Sequence, residues 1–167
     1  PVKYFFKPMM YFYAVVLFLY WYYFFQILKK INIKKNYIFW LALLSVIFLC
    51  LYVLFLGESK IYSFFKRIGI YIYILFTVIS QHLISNLLIK NKEKINKYFY
   101  IRYCRANFYL TSFLVISGII LLPILIIKIE NFPEIKNIIF WNYFFLIQLY
   151  FLISFFSLKK LSYPTST

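Results

Sequence analysis

Five long apolar segments without a charged residue constrain this chain more than any other feature. They are Met9–Leu28, Tyr37–Leu56, Ile68–Ile89, Ala106–Ile127 and Asn137–Leu158. The 19 Lys and Arg and the 4 Asp and Glu of the chain all lie outside them. Each segment is long enough to cross a hydrocarbon core of ~30 Å as a helix. Because one Lys at the bilayer centre would cost about 2.5–3.5 kcal/mol, these charge-free segments predict membrane spans.

The fold class follows from the number and spacing of these segments. A soluble domain of 167 residues could not bury a composition that is 65% hydrophobic, because its surface is too large for its volume. Short connections between the segments favour antiparallel neighbouring helices. We therefore predict an all-α integral membrane bundle of five transmembrane helices, forming a single domain over residues 1–167. With interfacial extensions, the spans are expected at about 9–28, 37–56, 61–90, 98–128 and 137–158.

Aromatic and glycine residues give weaker expectations about packing. Trp21, Trp40 and Trp141 are expected in the aromatic belts at the membrane interfaces. The spans contain only Gly69 and Gly118, without a Gly-x-x-x-Gly motif. Close helix packing through small residues is therefore weakly supported, and bulkier side chains are expected to fill most helix contacts.

The chain has a formal net charge of +15, and its basic residues lie at the ends of the spans and not on one face of a helix. Lysines in such positions extend their charged heads into the lipid headgroups. Membrane lipid is therefore an expected partner, and nucleic acid is not expected.

A basic cluster near the start of the fourth span is the predicted lipid site. Six cations surround the single acidic Glu93, namely Lys90, Lys92, Lys94, Lys97, Arg102 and Arg105. Each cation near an anionic membrane surface contributes about 1 kcal/mol of attraction. A phosphate-bearing headgroup, cardiolipin in an inner mitochondrial membrane, is predicted to bind some subset of Lys97, Arg102 and Arg105. The alternative is a solvated basic loop, or a contact with an acidic neighbouring subunit.

The third span carries the most polar helix face. Thr77, Gln81 and Ser85 recur at intervals of four residues, so they share one face of a helix. We interpret them as an interhelical polar stripe that faces protein, because lipid offers them no hydrogen-bond partner. The neighbouring His82 is the one histidine of the chain, and its alternative role is as a proton relay or cofactor ligand.

Catalytic and metal-binding chemistry is not expected from this chain alone. The four acidic residues Glu58, Glu93, Glu130 and Glu134 lie in predicted loops, where solvated charges are more common than a catalytic pair. Two separate cysteines and one histidine do not form a zinc or haem ligand set. The chain is expected to hold no catalytic residue, no metal and no cofactor of its own.

The amino-acid composition of the chain gives an indication of the genome that encodes it. The chain uses 22 Phe and 18 Tyr but only 3 Gly, and the abundant residues have codons rich in A and T. Such a bias in so hydrophobic a chain favours an organelle genome, although an A+T-rich nuclear or bacterial genome would leave the same mark.

Three local patterns resemble a known family. The first is a predicted tight turn with the sequence Gly57-Glu58-Ser59-Lys60. The second is the pair Phe76-Thr77, which begins sixteen residues after Lys60. The third is Phe132, followed after eight residues by Trp141-Asn142-Tyr143. With the order of long and short helices, this arrangement is similar to subunit III of cytochrome c oxidase. Asn142 stands where that family has a histidine, and the first span lacks the family's membrane-embedded glutamate.

The resemblance implies a non-catalytic subunit that flanks the haem- and copper-bearing subunit and holds phospholipid between its helices. Two alternatives stay open. One is another organelle-encoded respiratory subunit, such as subunit 6 of the NADH dehydrogenase complex. The other is a small endomembrane protein that remodels or senses lipid, similar to the Frag1/DRAM group.

Overall fold

The computed structural model describes residues 2–33, 36–55, 63–127 and 133–158. Within them lie six helices, α1 (Val2–Lys30), α2 (Asn36–Leu54), α3 (Ser63–Lys90), α4 (Lys92–Ile95), α5 (Ile101–Ile127) and α6 (Pro133–Ser157). All except the four-residue α4 are long and apolar enough to cross a membrane. The predicted all-α membrane bundle with five spanning helices is therefore confirmed.

The helix ends differ most from the predicted bounds in the first, fourth and last spans. The first helix extends beyond the predicted 9–28 at both ends. The fourth span begins at Ile101 and not at residue 98, because α4 and a turn occupy the chain before it. The last helix begins at Pro133 and not at residue 137. Proline suits the first helical position, because the amide hydrogen it lacks would have no helical partner there.

The chain packs as two compact units, Pro1–Ser80 and Gln81–Thr167, with the division inside α3. Each unit is described by itself below. A single domain over residues 1–167 stays a prediction.

In the first unit, α1 and α2 pack side by side in antiparallel directions. The Lys7 ammonium near the start of α1 donates to the Leu54 carbonyl at the end of α2, at 3.3 Å. Near the opposite ends of the two helices, the Phe25 and Phe39 rings meet edge to face. Most buried residues of α1 recur at alternating intervals of three and four, at Ala14, Leu17, Trp21, Phe24, Leu28 and, just beyond the helix, Ile31, with Phe25 buried beside this series. This is the seven-residue repeat of two helices in continuous contact.

Gly69 brings α3 against the backbone of α2 in the same unit. A Cβ atom at this position would lie 3.0 Å from the Tyr52 amide nitrogen and 3.1 Å from the Phe48 carbonyl oxygen. Rings on either side extend the contact, since Phe48 meets Phe76 and Phe55 stacks on Phe65. Only glycine allows the two backbones to approach this closely.

The end of α1 is defined by a Schellman motif. Asn32 has a positive φ of 59°, its amide donates to the Lys29 carbonyl at 3.0 Å, and the Ile33 amide donates to the Leu28 carbonyl at 3.1 Å. These are the two reversed hydrogen bonds of the motif. Leu28 and Ile33 are both buried, as expected of the apolar pair that accompanies it.

Replacing Asn32 with valine is expected to lower the free energy of unfolding by about 1–2 kcal/mol, because a β-branched residue is strained at positive φ. Asn32→Gly should leave that free energy unchanged or raise it slightly. Asn32 is exposed, so other lost contacts will not confuse the comparison. Unfolding titrations of both variants in mixed detergent micelles measure the difference, and equal stabilities would contradict the assignment of the motif.

Candidate functional site

The second unit holds a group of buried polar side chains. We call Gln81, His82, Asn107, Thr111 and Ser154 the polar seam. Gln81, Thr111, Asn107 and Ser154 are almost fully buried, and His82 is half-buried. The seam draws on three helices, because its members come from α3, α5 and α6.

Hydrogen bonds within the seam join each pair of these helices. The Asn107 amide donates to the Ser154 hydroxyl at 2.8 Å and connects α5 to α6. The Gln81 amide donates to the Ile147 carbonyl at 3.4 Å and connects α3 to α6. His82 Nδ1 and the Thr111 hydroxyl lie 3.4 Å apart and connect α3 to α5. The shortest of the three is the strongest, because hydrogen bonds weaken beyond about 3.2 Å.

Hydroxyl groups in this unit also bond to their own helices. Ser85 donates to the Gln81 carbonyl at 2.8 Å and Thr111 to the Asn107 carbonyl at 2.9 Å. Bonds of this kind keep a hydroxyl group satisfied where no water is present.

Two acceptors of the seam have no donor among the described residues. The side-chain carbonyl oxygens of Gln81 and Asn107 are buried, and no described residue donates a hydrogen bond to them. An unpaired buried polar atom costs about 1–3 kcal/mol. The described part of the chain therefore does not fully satisfy the seam.

A second polar contact links α5 and α6 nearer the other end of the two helices. The Ser117 and Tyr143 hydroxyl groups lie 2.6 Å apart. Tyr143 also lies 3.3 Å from the Leu114 carbonyl, to which its hydroxyl donates. The two helices are thus joined by hydrogen bonds at two depths.

His82 packs as an aromatic side chain. Its ring stacks on Phe108 with the ring centres 5.5 Å apart. Among the described residues, no group of three or more His, Cys, Asp and Glu is placed to hold a metal ion. The geometry around His82 is that of a helix contact.

The residues of the predicted polar stripe fall on both sides of the division in α3. Thr77, Gln81 and Ser85 are each fully buried. Gln81 and Ser85 lie in the second unit, where Gln81 belongs to the polar seam, whereas Thr77 lies in the first unit. Asn107 and Ser154 were not singled out from the sequence. The spacing of Asn107 and Thr111, four residues apart on the fourth span, is the signal that could have identified one side of the seam.

The predicted lipid-binding residues lie together at one end of the second unit. Lys97 is exposed in the turn after α4, and Arg102 and Arg105 are exposed in the first two turns of α5. This turn is tied to the end of α6, because the Tyr100 amide donates to the Ser157 carbonyl at 2.7 Å. Beside it lies a cavity of about 170 Å³ whose charged lining residues are Lys92 and Arg105.

A double-mutant cycle on Asn107 and Ser154 tests the strongest bond of the seam. Asn107→Ala and Ser154→Ala are expected to show a coupling energy of about 0.6 kcal/mol, and at most about 1.7 kcal/mol, the range for such bonds in membranes. The control cycle pairs Asn142→Ala with Ser154→Ala. Asn142 is exposed and its amide donates to the Ile138 carbonyl of its own helix, so its coupling to Ser154 should be zero. Equal coupling in both cycles would show that the bond does not form.

No family model, curated protein or solved structure matches this chain significantly. The fold places the chain in the class of integral membrane proteins with five spanning helices.

Proposed function

We propose that this chain is a non-catalytic subunit of a respiratory-chain complex in the mitochondrial inner membrane, most like subunit III of cytochrome c oxidase, with a structural and lipid-holding role. The observation that supports the proposal is that the polar side chains of the second unit form contacts between helices. Gln81, His82, Asn107 and Thr111 take part in hydrogen bonds that join helices. Polar groups used in this way stabilise a membrane bundle and are not positioned around a reacting group.

The exposed apolar surface supports assembly with other membrane chains. On α6, Ile138, Trp141, Phe145, Leu152 and Phe156 are each more than half exposed. Their spacing of three, four and seven residues places them along one face of the helix. Such an aromatic ridge can pack into the grooves of a helix from a neighbouring subunit.

The absence of charge from the spans also favours a structural role. Chains that transport ions or protons generally place ionisable side chains inside the membrane. In the five charge-free segments of the sequence, His82 is the one member of the His, Lys, Arg, Asp and Glu set. Its ring is stacked against Phe108, which supports the same conclusion.

Mild detergent extraction followed by mass spectrometry of the companion proteins tests the proposal. The tagged chain should be recovered from inner mitochondrial membranes together with subunits of cytochrome c oxidase. Recovery with subunits of the NADH dehydrogenase complex would support the other respiratory assignment. Recovery from an endomembrane fraction without respiratory subunits would contradict both, and would favour a lipid-remodelling or lipid-sensing protein similar to the Frag1/DRAM group.

A further inference from the structure

The cavity at the basic end of the second unit combines two kinds of surface. Most of its wall is apolar and comes from Leu88 and Ile89 of α3, Ile95 of α4 and Ile101 of α5. Lys92 and Arg105 are the charged residues that line it, and both are exposed. One anionic group next to a hydrocarbon chain complements such a wall.

We propose that this cavity binds an anionic phospholipid, with the phosphate between Lys92 and Arg105 and the adjoining carbons of the lipid against the apolar wall. The inference rests on the proposed lipid-holding function and gives that function a location. It also narrows the set of binding residues, because Arg105 lines the cavity whereas Lys97 and Arg102 do not.

The size of the cavity determines which part of the lipid it holds. Its volume of about 170 Å³ is close to that of a cavity of about 150 Å³ that holds one benzene molecule. It therefore accepts a short stretch of a lipid and not a whole acyl chain.

The rest of the acyl chain has an apolar path along α5. Tyr109, Phe113 and Ile116 are 70%, 60% and 60% exposed. They follow Arg105 at helical intervals of four, four and three residues, so they continue the same face of α5 toward the membrane interior. A lipid with its phosphate at Arg105 would lie along this face.

Charge and geometry favour an anionic headgroup over a neutral one. Glu93 is the one acidic residue between residues 81 and 127, so the six cations of this region keep an excess of positive charge. The planar guanidinium of Arg105 can bind a phosphate through two parallel hydrogen bonds. Lys92 adds a second positive charge at the same rim.

Native mass spectrometry of the purified full chain tests the site. The chain is exchanged into detergent with cardiolipin or with phosphatidylcholine, and the retained lipid is counted. Lys92→Gln combined with Arg105→Gln should reduce cardiolipin retention about tenfold or more, since both charged contacts to the phosphate are lost. Retention of phosphatidylcholine by the unmodified chain should be much weaker than retention of cardiolipin.

The matched control is Lys97→Gln combined with Arg102→Gln, which removes the same charges from the same cluster but outside the cavity. This pair should retain cardiolipin within about threefold of the unmodified chain. The charge-conserving pair Lys92→Arg and Arg105→Lys should keep cardiolipin retention near that of the unmodified chain, and this result shows that the loss in the glutamine pair follows the charge at these two positions. Equal loss in both glutamine pairs would overturn the proposal in favour of diffuse electrostatic attraction, and unchanged retention in the cavity pair would overturn it outright.

A competition experiment with inorganic phosphate distinguishes a site for a lipid headgroup from a site that binds any small anion. If phosphate in the buffer displaces cardiolipin completely, the apolar wall contributes nothing and the proposal is wrong. Lipid is counted on the isolated chain, whereas companion proteins are identified in the membrane extract. A failure of the lipid site can therefore be distinguished from a failure of the proposed subunit function.

Discussion

Trp21→Ala is expected to lower the free energy of unfolding by about 3 kcal/mol, the lower part of the range for removing a large aromatic side chain from a protein core. Trp21 is only 1% exposed and lies within the buried repeat of α1. Lipid replaces water around the spans, so the loss comes from packing contacts and the space left behind, and not from hydration. Unfolding titrations in mixed micelles measure it.

The other two tryptophans are matched controls. Trp40 is 60% exposed and Trp141 is 59% exposed. Trp40→Ala and Trp141→Ala in the isolated chain should each change the free energy of unfolding by less than about 1 kcal/mol, as exposed positions usually do. Three equal effects would contradict the burial of Trp21.

Gly69→Leu is expected to destabilise the chain by about 3 kcal/mol or more, because the added side chain would meet the backbone of α2 and force the helices apart. Gly69→Ala should destabilise it by about 1–2 kcal/mol, even though alanine favours a helix over glycine by about 1 kcal/mol. The nearest atoms belong to the backbone of Phe48 and Tyr52, and these cannot rotate away.

Gly118→Ala is the control, and its effect on the free energy of unfolding should have the opposite sign. A Cβ atom at Gly118 would lie 3.6 Å from the Tyr143 hydroxyl, which is ordinary van der Waals contact. The helix preference of alanine should therefore raise the free energy of unfolding by about 0.4–1 kcal/mol. If Gly69→Ala also stabilises the chain, the close approach of α2 and α3 is wrong.

The spans could be predicted from the sequence because charge is excluded from the hydrocarbon core so strongly. Which face of each span is buried could not be predicted in the same way. In a soluble helix the exposed face is polar, whereas here the exposed Phe12, Val16 and Leu19 are as apolar as the buried Ala14 and Leu17. Hydrophobic periodicity therefore gives no signal, since lipid and the protein interior are both apolar.

Individual residues show the same difficulty in predicting buried positions and helix contacts from the sequence. Trp21 was expected in an interfacial belt but is buried, because an aromatic side chain suits both surroundings. Gly69 was given little weight for packing, although an isolated glycine in an apolar helix commonly indicates a close contact. Asn107 and Ser154 come from spans far apart in the sequence, so their hydrogen bond required the fold.

At the basic end, composition predicted the cluster but not its geometry. Lys97, Arg102 and Arg105 were predicted together as members of one basic cluster, and nothing in the sequence separated Arg105 from Arg102. The short α4 was not predicted, and it places Lys92 beside the same cavity as Arg105. The proposed lipid site depends on that turn of helix.

The measurement that tests the proposed function most directly follows haem a through purification and dissociation of the assembly. After mild extraction, haem a absorbance should copurify with the tagged chain on size-exclusion chromatography. After a harsher detergent separates the subunits, all of the haem should remain with the other chains and none with this one. Elution of this chain without haem a after mild extraction, or haem that stays bound to it after dissociation, would contradict its assignment as a non-catalytic subunit of cytochrome c oxidase.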